Sequence, residues 1–235
     1  MTTLRDARAE AVPAGTVVVF DAQDGTVLLL RRRDSLRFMG GFWVFPGGAV
    51  DAEDVARAGG SEVAAAAEAA CRELHEEAGL RLAAADLVHC AHWITPSAAM
   101  RRFDTHFFVG VRPPGQTAWL ASAESSELCW VEPARVADAP AGFAVTAPTL
   151  VVLREVSLAL REASAAGARA ALARRGPVRT VLPKILDGAA VMPWDPEYGA
   201  LPGEGLEWDA AGLAERADWP SRFPAVVPAR PAPGQ

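Results

Sequence analysis

Three glutamates, Glu73, Glu76 and Glu77, have the spacing in this chain that most directly suggests chemistry. If this stretch forms a helix, the three carboxylates lie at positions i, i+3 and i+4 and share one face. Arg72 lies four residues before Glu76 and neutralises only part of that charge. The remaining negative charge favours a hard divalent cation, because Mg²⁺ and Mn²⁺ prefer carboxylate oxygens. The alternative is a solvated acidic helix face.

A helix and a glycine-rich turn must position these carboxylates. The opposite face of the helix is apolar and can pack on a sheet, and Gly79 is expected to end the helix as a C-cap. The residues of this apolar face are Val63, Ala67, Ala70, Cys71, Leu74 and Ala78. Upstream, residues 16–20 and 26–30 are predicted to form a β-hairpin, and Pro46-Gly47-Gly48 forms a turn.

The turn and the helix together resemble the signature of the Nudix hydrolases, which cleave nucleoside diphosphates linked to another group. The segment Arg-Glu-Leu-His-Glu-Glu-Ala-Gly-Leu at residues 72–80 matches this signature at each of its defined positions. The resemblance implies that Glu73, Glu76, Glu77 and the Gly47 carbonyl bind the metal, and that Arg72 orients a glutamate. It also implies an α/β/α sandwich with a mixed sheet, which agrees with predicted strands around one amphipathic helix.

The first half of the signature departs from the family pattern. Ala58 and Ala64 stand where the family has a glycine and a glutamate, so an insertion around residues 52–60 must separate the turn from the helix. Glu62 and Glu68 are the candidates to replace the missing carboxylate. Both are equally compatible with positions that face the solvent.

A second pattern resembles the coenzyme A diphosphatase branch of the same family. It consists of Leu28-Leu29, Arg32, Arg37, Gly41 and Phe45-Pro46-Gly47-Gly48, with Leu30 in place of a threonine and Arg33 in place of a serine. Arg32, Arg37 and the Gly48 turn are therefore candidate substrate-binding groups, because guanidinium groups suit phosphates. Arg101 and Arg102 follow a Thr95-Pro96 turn and could clamp substrate phosphates in the same way. A solvated basic loop is the alternative for residues 31–37.

A further glutamate is expected to bind metal or to deprotonate water. Many Nudix enzymes place such a residue in the region that contains Glu124 and Glu127 here. Of the two we prefer Glu127, three residues before Trp130. Glu73 is the other candidate for the general base, and a charge at the start of a strand is the alternative for Glu127.

Composition limits the other functions of the chain. Its 235 residues carry a net charge of −6, which argues against broad binding to nucleic acid or to an anionic membrane. Its three cysteines are scattered without metal-binding spacing, and neither a signal peptide nor a membrane span is evident. A cytoplasmic protein is therefore expected.

We predict a Nudix core at residues 1–145 and a C-terminal appendage at residues 146–235. The appendage should contain helices, a hairpin and a Pro-rich tail. The hairpin is predicted to have strands at residues 178–185 and 189–192 with a turn at Asp187-Gly188. Trp208, Trp219 and Phe223 are expected to anchor this tail on the core or on a partner subunit, so a homodimer is possible.

The expected function is hydrolysis of a diphosphate linkage in a small nucleotide substrate with Mg²⁺ or Mn²⁺ as cofactor. Coenzyme A or an acyl-CoA is the leading substrate, and ADP-ribose, NADH and dinucleoside polyphosphates are alternatives. A non-catalytic nucleotide-binding module with the same fold is a further alternative. Ala64 favours such a module slightly, whereas the intact Glu73, Glu76 and Glu77 argue against it.

Overall fold

The computed structural model describes residues 3–8, 11–138, 142–161 and 163–225. The chain forms two compact units, each assembled from segments that are distant in sequence. The terminal unit comprises Met1–Pro13, His92–Thr105 and Arg179–Gln235, and the sheet unit comprises Ala14–Ala91 and His106–Val178. The predicted boundary at residue 145 does not separate these units, because the helices that follow it belong to the sheet unit.

The described residues contain eleven strands and seven α-helices. The strands are β1 (Val12–Phe20), β2 (Val27–Arg32), β3 (Trp43–Val44), β4 (Gly47–Ala49), β5 (Val88–Ile94), β6 (Phe103–Val111), β7 (Ser125–Val131), β8 (Thr180–Val181), β9 (Lys184–Leu186), β10 (Ala189–Val191) and β11 (Arg222–Pro224). The helices are α1 (Leu4–Arg8), α2 (Ala52–Arg57), α3 (Glu62–Ala78), α4 (Pro133–Asp138), α5 (Ala147–Arg161), α6 (Ala165–Ala173) and α7 (Ala210–Glu215).

The main sheet is mixed, as predicted. Strand β1 pairs antiparallel with β2 and β4, and β2 also pairs antiparallel with β3 and β7. The pairing of Phe20 with Val27 confirms the predicted hairpin between β1 and β2. In the terminal unit, the end of β5 pairs parallel with β8. The expected α/β fold with a mixed sheet is therefore confirmed.

Helix α3 packs closely against β1, and this contact depends on a glycine. A Cβ atom added to Gly15 would lie 1.7 Å from the carbonyl oxygen of Ala66, so only glycine allows this approach. The core beside the helix contains Val17, Val19, Leu28, Leu30, Ala66, Ala67, Ala70, Leu74, Ala78, Leu80 and Phe108. Val63 is 38% exposed, so its predicted place on the buried face is wrong, because it lies in the exposed first turn of α3.

The inserted segment before α3 forms a short helix, α2, in the sheet unit. Asp51 is its N-cap, and its side chain accepts a hydrogen bond from the backbone of Asp54. The Asp54 side chain in turn accepts one from the Asp51 backbone, so the two residues form a reciprocal capping box. This local pattern explains why six residues form a helix here.

The terminal unit contains a three-stranded antiparallel sheet made of β9, β10 and β11. Asp187 and Gly188 make the predicted turn of the β9–β10 hairpin, and both have positive φ angles. The single strand predicted over residues 178–185 is instead interrupted at Pro183, which cannot donate a ladder hydrogen bond. Phe223 is buried in β11, whereas residues 226–235 of the predicted tail lie outside the described residues.

Candidate functional site

The three glutamates of α3 project from one helix but differ in exposure. The Glu77 side chain is buried, that of Glu73 is 20% exposed, and that of Glu76 is 55% exposed. The helix begins after the Ser61 N-cap and ends at Gly79, which has a left-handed φ of 69° as the predicted C-cap requires. Burial therefore makes Glu73 and Glu77 the inner pair of the cluster.

Strand β4 brings two glycines against this inner pair. The backbone amide of Gly47 donates a hydrogen bond of 3.0 Å to Oε2 of Glu77. A Cβ atom added to Gly48 would lie 2.3 Å from Oε1 of Glu73. The glycine turn and the acidic helix, predicted separately from the sequence, therefore form one site.

The environment of the inner pair disfavours negative charge. Burial raises the pKa of Glu77 to about 7, and the neighbouring Glu73 adds to this rise, although the Gly47 amide opposes it. Burial also raises the pKa of Glu73, against the opposing effect of Arg72. Two carboxylates that share a buried site gain from a nearby positive charge. Their oxygens form a donor set that fits a hard divalent cation such as Mg²⁺ or Mn²⁺.

Arg72 supplies positive charge at the edge of the site. Its Nη1 donates to Oε1 of Glu73 across 2.8 Å and lies 3.4 Å from Oε2 of Glu76. Its Nη2 donates to the Ala49 carbonyl across 2.9 Å. The guanidinium therefore connects the glutamates to strand β4, in the position that an orienting residue would need.

Glu124 and Glu127, the two candidates outside the signature, occupy different environments. The Glu124 carboxylate lies 3.3 Å from Nη2 of Arg32, and its charge contributes to the raised pKa of both Glu73 and Glu77. Glu127 pairs instead with Arg31 across 3.1 Å, and the two glutamate side chains are similarly exposed, at 59% for Glu124 and 56% for Glu127. The charge of Glu124 therefore acts on the inner pair, whereas the preferred Glu127 pairs with Arg31.

The two predicted substrate-binding arginines of residues 31–37 are placed differently. Arg32 is partly buried at 20% exposure, and its charge lowers the pKa of Glu77. Its Nε donates to the Phe38 carbonyl across 3.3 Å, which holds the side chain against the following loop. Arg37 is exposed within that loop. Arg32 is thus the better placed of the two beside the carboxylates.

Arg101 and Arg102 belong to the terminal unit. The guanidinium of Arg101 lies 4.8 Å from the centre of the Phe103 ring and is exposed. Arg102 is buried, and its donors reach the Thr95 carbonyl across 3.0 Å and the Ala7 carbonyl across 2.6 Å. These bonds favour a structural role for Arg102 over the predicted phosphate contact.

One residue of the site was missed by the sequence reasoning. Asp54, on helix α2, is fully buried and contacts Arg72. The signal that could have indicated it was the Asp51-x-x-Asp54 pattern, which is typical of a capping box at a helix start. That pattern predicts the helix, but it does not predict that the carboxylate reaches Arg72.

The fold is an α/β fold with a mixed sheet. The acidic helix α3, held against the Gly-Gly strand β4, defines a candidate divalent-cation site. The family model described as the NUDIX domain matches residues 11–150. This chain therefore belongs to the NUDIX domain family, which confirms the predicted family.

Two relatives illustrate the similarity. The Caenorhabditis elegans protein named "Putative nudix hydrolase 7" is 26% identical over 181 residues, and the alignment covers 61% of this chain and 60% of that protein. The chain thus matches less than two thirds of that relative. The crystal structure of a NUDIX hydrolase from Alicyclobacillus acidocaldarius superposes with a TM-score of 0.55 at 25% identity, covering 62% of this chain and 90% of that one.

Among the residues that the structure describes, none of the helices combines the length and the apolar character needed to span a membrane.

Proposed function

We propose that this chain hydrolyses a diphosphate linkage in a nucleoside diphosphate derivative, with Mg²⁺ or Mn²⁺ as cofactor. The observation that carries the proposal is that Glu73 lies against Gly48 and Glu77 against Gly47. The pKa of both carboxylates is raised. Carboxylates whose pKa values are raised by burial and by neighbouring carboxylates are typical of functional sites. Membership of the NUDIX family supports the same activity.

The cation would be held by carboxylate oxygens of Glu73, Glu76 and Glu77 and by the Gly47 carbonyl. When bound, Mg²⁺ or Mn²⁺ neutralises charge on the diphosphate oxygens and makes water a better nucleophile. Arg72 holds the Glu73 carboxylate in place, and the Gly47 amide does the same for Glu77. The chain thereby supplies a preorganised anionic site for a reaction that depends mainly on placement and electrostatics.

For the general base we propose Glu124, with Glu127 and Glu73 as the alternatives. The Glu124 carboxylate would accept the proton of the attacking water, and its ion pair with Arg32 keeps it oriented near the inner pair. Glu127, on strand β7, is less suited because it pairs with Arg31 and not with Arg32, whose charge acts on Glu77. Glu73 is less suited because Arg72 donates directly to it.

The matched variants Glu124→Gln and Glu127→Gln test this assignment, since each removes one charge from the same strand region. We expect turnover to fall by about 10²-fold or more in Glu124→Gln, the usual size of a general-base contribution. Glu127→Gln should change turnover little. The reverse pattern would assign the base to Glu127, and equal activity in both variants would leave Glu73 as the base.

For the substrate we propose coenzyme A or an acyl-CoA. The support is the pattern of Leu28-Leu29, Arg32, Arg37 and Gly41 before the Gly-Gly turn, together with the position of Arg32 beside the carboxylates. Arg32 and Arg37 would donate to substrate phosphates, and the backbone at Gly48 would border the diphosphate. ADP-ribose, NADH and dinucleoside polyphosphates share the diphosphate and remain the alternative substrates.

The test is a substrate panel with Mg²⁺ or Mn²⁺, run beside a control with a chelator and resolved by chromatography. Metal-dependent release of 3′,5′-ADP from coenzyme A would support both the activity and the substrate. Cleavage of other panel members alone would keep the activity and reject coenzyme A. Nucleotide binding without any cleavage would favour the non-catalytic module.

We also propose a cytoplasmic location and a dimer formed through the C-terminal residues. The location is supported by three free cysteines, and burial raises the pKa of the Cys71 thiol to about 12, which keeps it unreactive.

The dimer rests on the aromatic content of residues 201–223, and sedimentation that shows only a species near the 24.8 kDa chain mass would reject it.

A further inference from the structure

The inserted helix α2 carries a carboxylate that is completely buried. Asp54 is 0% exposed, although it lies on a helix of only six residues. Its Oδ2 accepts a hydrogen bond of 3.1 Å from the Asp51 amide, which completes the capping box. A cap needs only that bond and tolerates exposure to solvent, so capping alone does not explain the burial of a charged group.

Two arginines compensate the buried charge of Asp54. Nη2 of Arg57 donates to Oδ1 across 2.6 Å, and Nη2 of Arg72 donates to Oδ2 across 3.1 Å. Nε of Arg72 lies 3.3 Å from Oδ2, so the guanidinium engages this carboxylate with two of its nitrogens. Burial by itself would raise the pKa of Asp54, but the hydrogen bonds from Arg72 and the Asp51 backbone hold it below its usual value.

Arg72 connects this buried carboxylate to the acidic face of α3. Its Nη1, which is not the nitrogen nearest Asp54, donates to Oε1 of Glu73 across 2.8 Å. A guanidinium is planar, and its donors form a rigid fork. Fixing one side of Arg72 on Asp54 therefore fixes the direction of the bond that the other side makes to Glu73.

Asp54 also bears on the carboxylate that is missing at Ala64, where the family has a glutamate. Glu62 and Glu68 were the expected replacements for the carboxylate that the family has at that position. Glu62 is exposed, and Glu68 lies 3.4 Å from Nε of Arg57. The fully buried carboxylate that contacts Arg72 belongs to Asp54, which comes from the insertion.

We propose that Asp54 is a positioning residue that fixes Arg72 and, through it, the Glu73 carboxylate for a divalent cation. This inference rests on the proposed function, since it assumes that Glu73 helps to bind the cation. It gives the inserted segment at residues 52–60 a role in the site. A purely structural role, in which Asp54 only caps α2, makes a different prediction for cation binding.

The test is a Mn²⁺ titration of the substrate-free protein by calorimetry, with thermal unfolding in chelator as the measure of structure. Asp54→Asn removes the buried charge that faces Arg72 but keeps an oxygen that can accept the Asp51 amide, and the Asp51 carboxylate, 3.3 Å from Nε of Arg72, is unchanged. We expect its dissociation constant for Mn²⁺ to rise by about 10-fold or more, the usual effect of losing a partner that orients a metal ligand. Its thermal unfolding in chelator reports whether the variant is folded.

The matched control is Glu53→Gln, which removes one acidic charge from the same helix. Glu53 is 82% exposed and pairs with Arg57 only across 3.5 Å, so Mn²⁺ affinity should not change. Equal weakening in both variants would indicate a general charge effect and would overturn the inference. Wild-type affinity in a folded Asp54→Asn variant would also overturn it.

Arg72→Lys provides a second line of evidence. Lysine keeps the positive charge but cannot bridge Asp54 and Glu73 with a planar fork. It should weaken Mn²⁺ binding, and the double variant with Asp54→Asn should lose little more than the worse single variant, because both act through one contact. Additive losses would overturn the inference. If Asp54→Asn does not fold, wild-type affinity in Arg72→Lys would overturn it.

The same experiment separates this inference from the proposed function. If wild-type protein binds Mn²⁺ and Asp54→Asn binds it equally well, only the positioning role fails. If wild-type protein does not bind Mn²⁺, the proposed function fails and the inference fails with it.

Discussion

The Glu77 carboxylate accepts a hydrogen bond from the Gly47 amide across 3.0 Å, although thirty positions separate the two residues. This bond ties the acidic face of α3 to strand β4 and fixes one oxygen of a buried carboxylate. The pKa of Glu77 rises to about 7 because burial outweighs this hydrogen bond. The site thus holds a group that gains from exchanging its proton for a cation.

Replacing Glu77 with glutamine should remove the charge and keep the shape. The amide oxygen of glutamine can still accept from Gly47, so we expect folding to be retained. Turnover should fall by at least ~10²-fold, the size of a single electrostatic contribution in an active site. Steady-state kinetics measure turnover, and circular dichroism measures folding. Turnover like that of the wild type would reject Glu77 as a ligand.

The raised pKa of Glu77 predicts a specific pH dependence. Its pKa is about 7 in the folded protein against an ordinary 4.5, so the metal-free folded protein binds this proton more tightly than the unfolded chain. The resulting stability is fully present below the ordinary pKa and is lost as pH rises through about 7. A cation must displace the proton, so Mn²⁺ affinity should increase as pH rises towards about 7 and then level off.

Mn²⁺ titrations over a pH series that brackets this value measure the effect, with Glu77→Gln as the control. Glutamine has no ionisable proton at this position, so the weaker binding of the variant should depend less on pH. A wild-type affinity that is constant across the series would contradict the assignment.

Replacing Gly48 with alanine should disturb the site without unfolding the protein. The new Cβ would lie 2.3 Å from Oε1 of Glu73, which is the end of a flexible side chain and can move away. We expect a loss of turnover with little change in the unfolding midpoint. Gly176→Ala is the matched control, because no heavy atom lies within 4 Å of a Cβ there. Equal activity of the two variants would argue against close contact between Gly48 and Glu73.

Replacing Gly79 with alanine should destabilise the sheet unit. Its φ of 69° is left-handed, which costs a residue with a Cβ about 1–2 kcal/mol. The new Cβ would also lie 2.3 Å from the Trp119 ring. Gly115→Ala carries the same backbone penalty, at φ 80°, with no heavy atom within 4 Å. Chemical denaturation should therefore show the larger loss for Gly79→Ala, with a change in tryptophan fluorescence, and equal losses would exclude a contribution from Trp119.

Strand β11 should detach from the terminal unit when Asp195 is neutralised. Nε of Arg222 and the Ser221 hydroxyl both donate to Oδ2 of Asp195 across 2.9 Å. Asp195→Asn should cost about 1.5–3 kcal/mol, the range for hydrogen bonds to a charged group, and should expose β11 to protease. Asp187→Asn is the control, because asparagine tolerates the positive φ of that turn. Equal protease resistance of both variants would contradict the prediction.

The same ion pair predicts loss of stability in acid. The pKa of Asp195 is held at about 2 by Arg222, below its ordinary 3.8. Its contribution to stability is therefore present above the ordinary value and is lost as pH falls through about 2. Acid unfolding of wild type and of Asp195→Asn should converge at low pH, and a constant difference between them would contradict this.

Several features were predictable because they depend on near neighbours in the chain. The β1–β2 hairpin, the C-cap at Gly79 and the β9–β10 turn all follow from short patterns, and the structure contains each of them. The exposure of Val63 and the break at Pro183 were missed, although their causes are also local. In both cases apolar periodicity was extended past a residue at which the element begins or ends.

The partners of the site residues could not be read in the same way. The choice between Glu124 and Glu127 depends on which of Arg31 and Arg32 each one meets across the β2–β7 pair. Arg102 resembles a phosphate ligand in the sequence, but its donors are used by carbonyls of the terminal unit. Each of these outcomes depends on the path of the chain between residues far apart in sequence.

The sequence by itself determined that Glu73, Glu76 and Glu77 share one helix face, because the period of an α-helix is a local property. It also determined the family, through residues that lie close together in the chain. Only the tertiary structure decided that Gly47 holds Glu77 and that Asp54 holds Arg72. Burial and charge pairing depend on which segments the fold brings together, and a buried carboxylate is stable only where the fold supplies its partner.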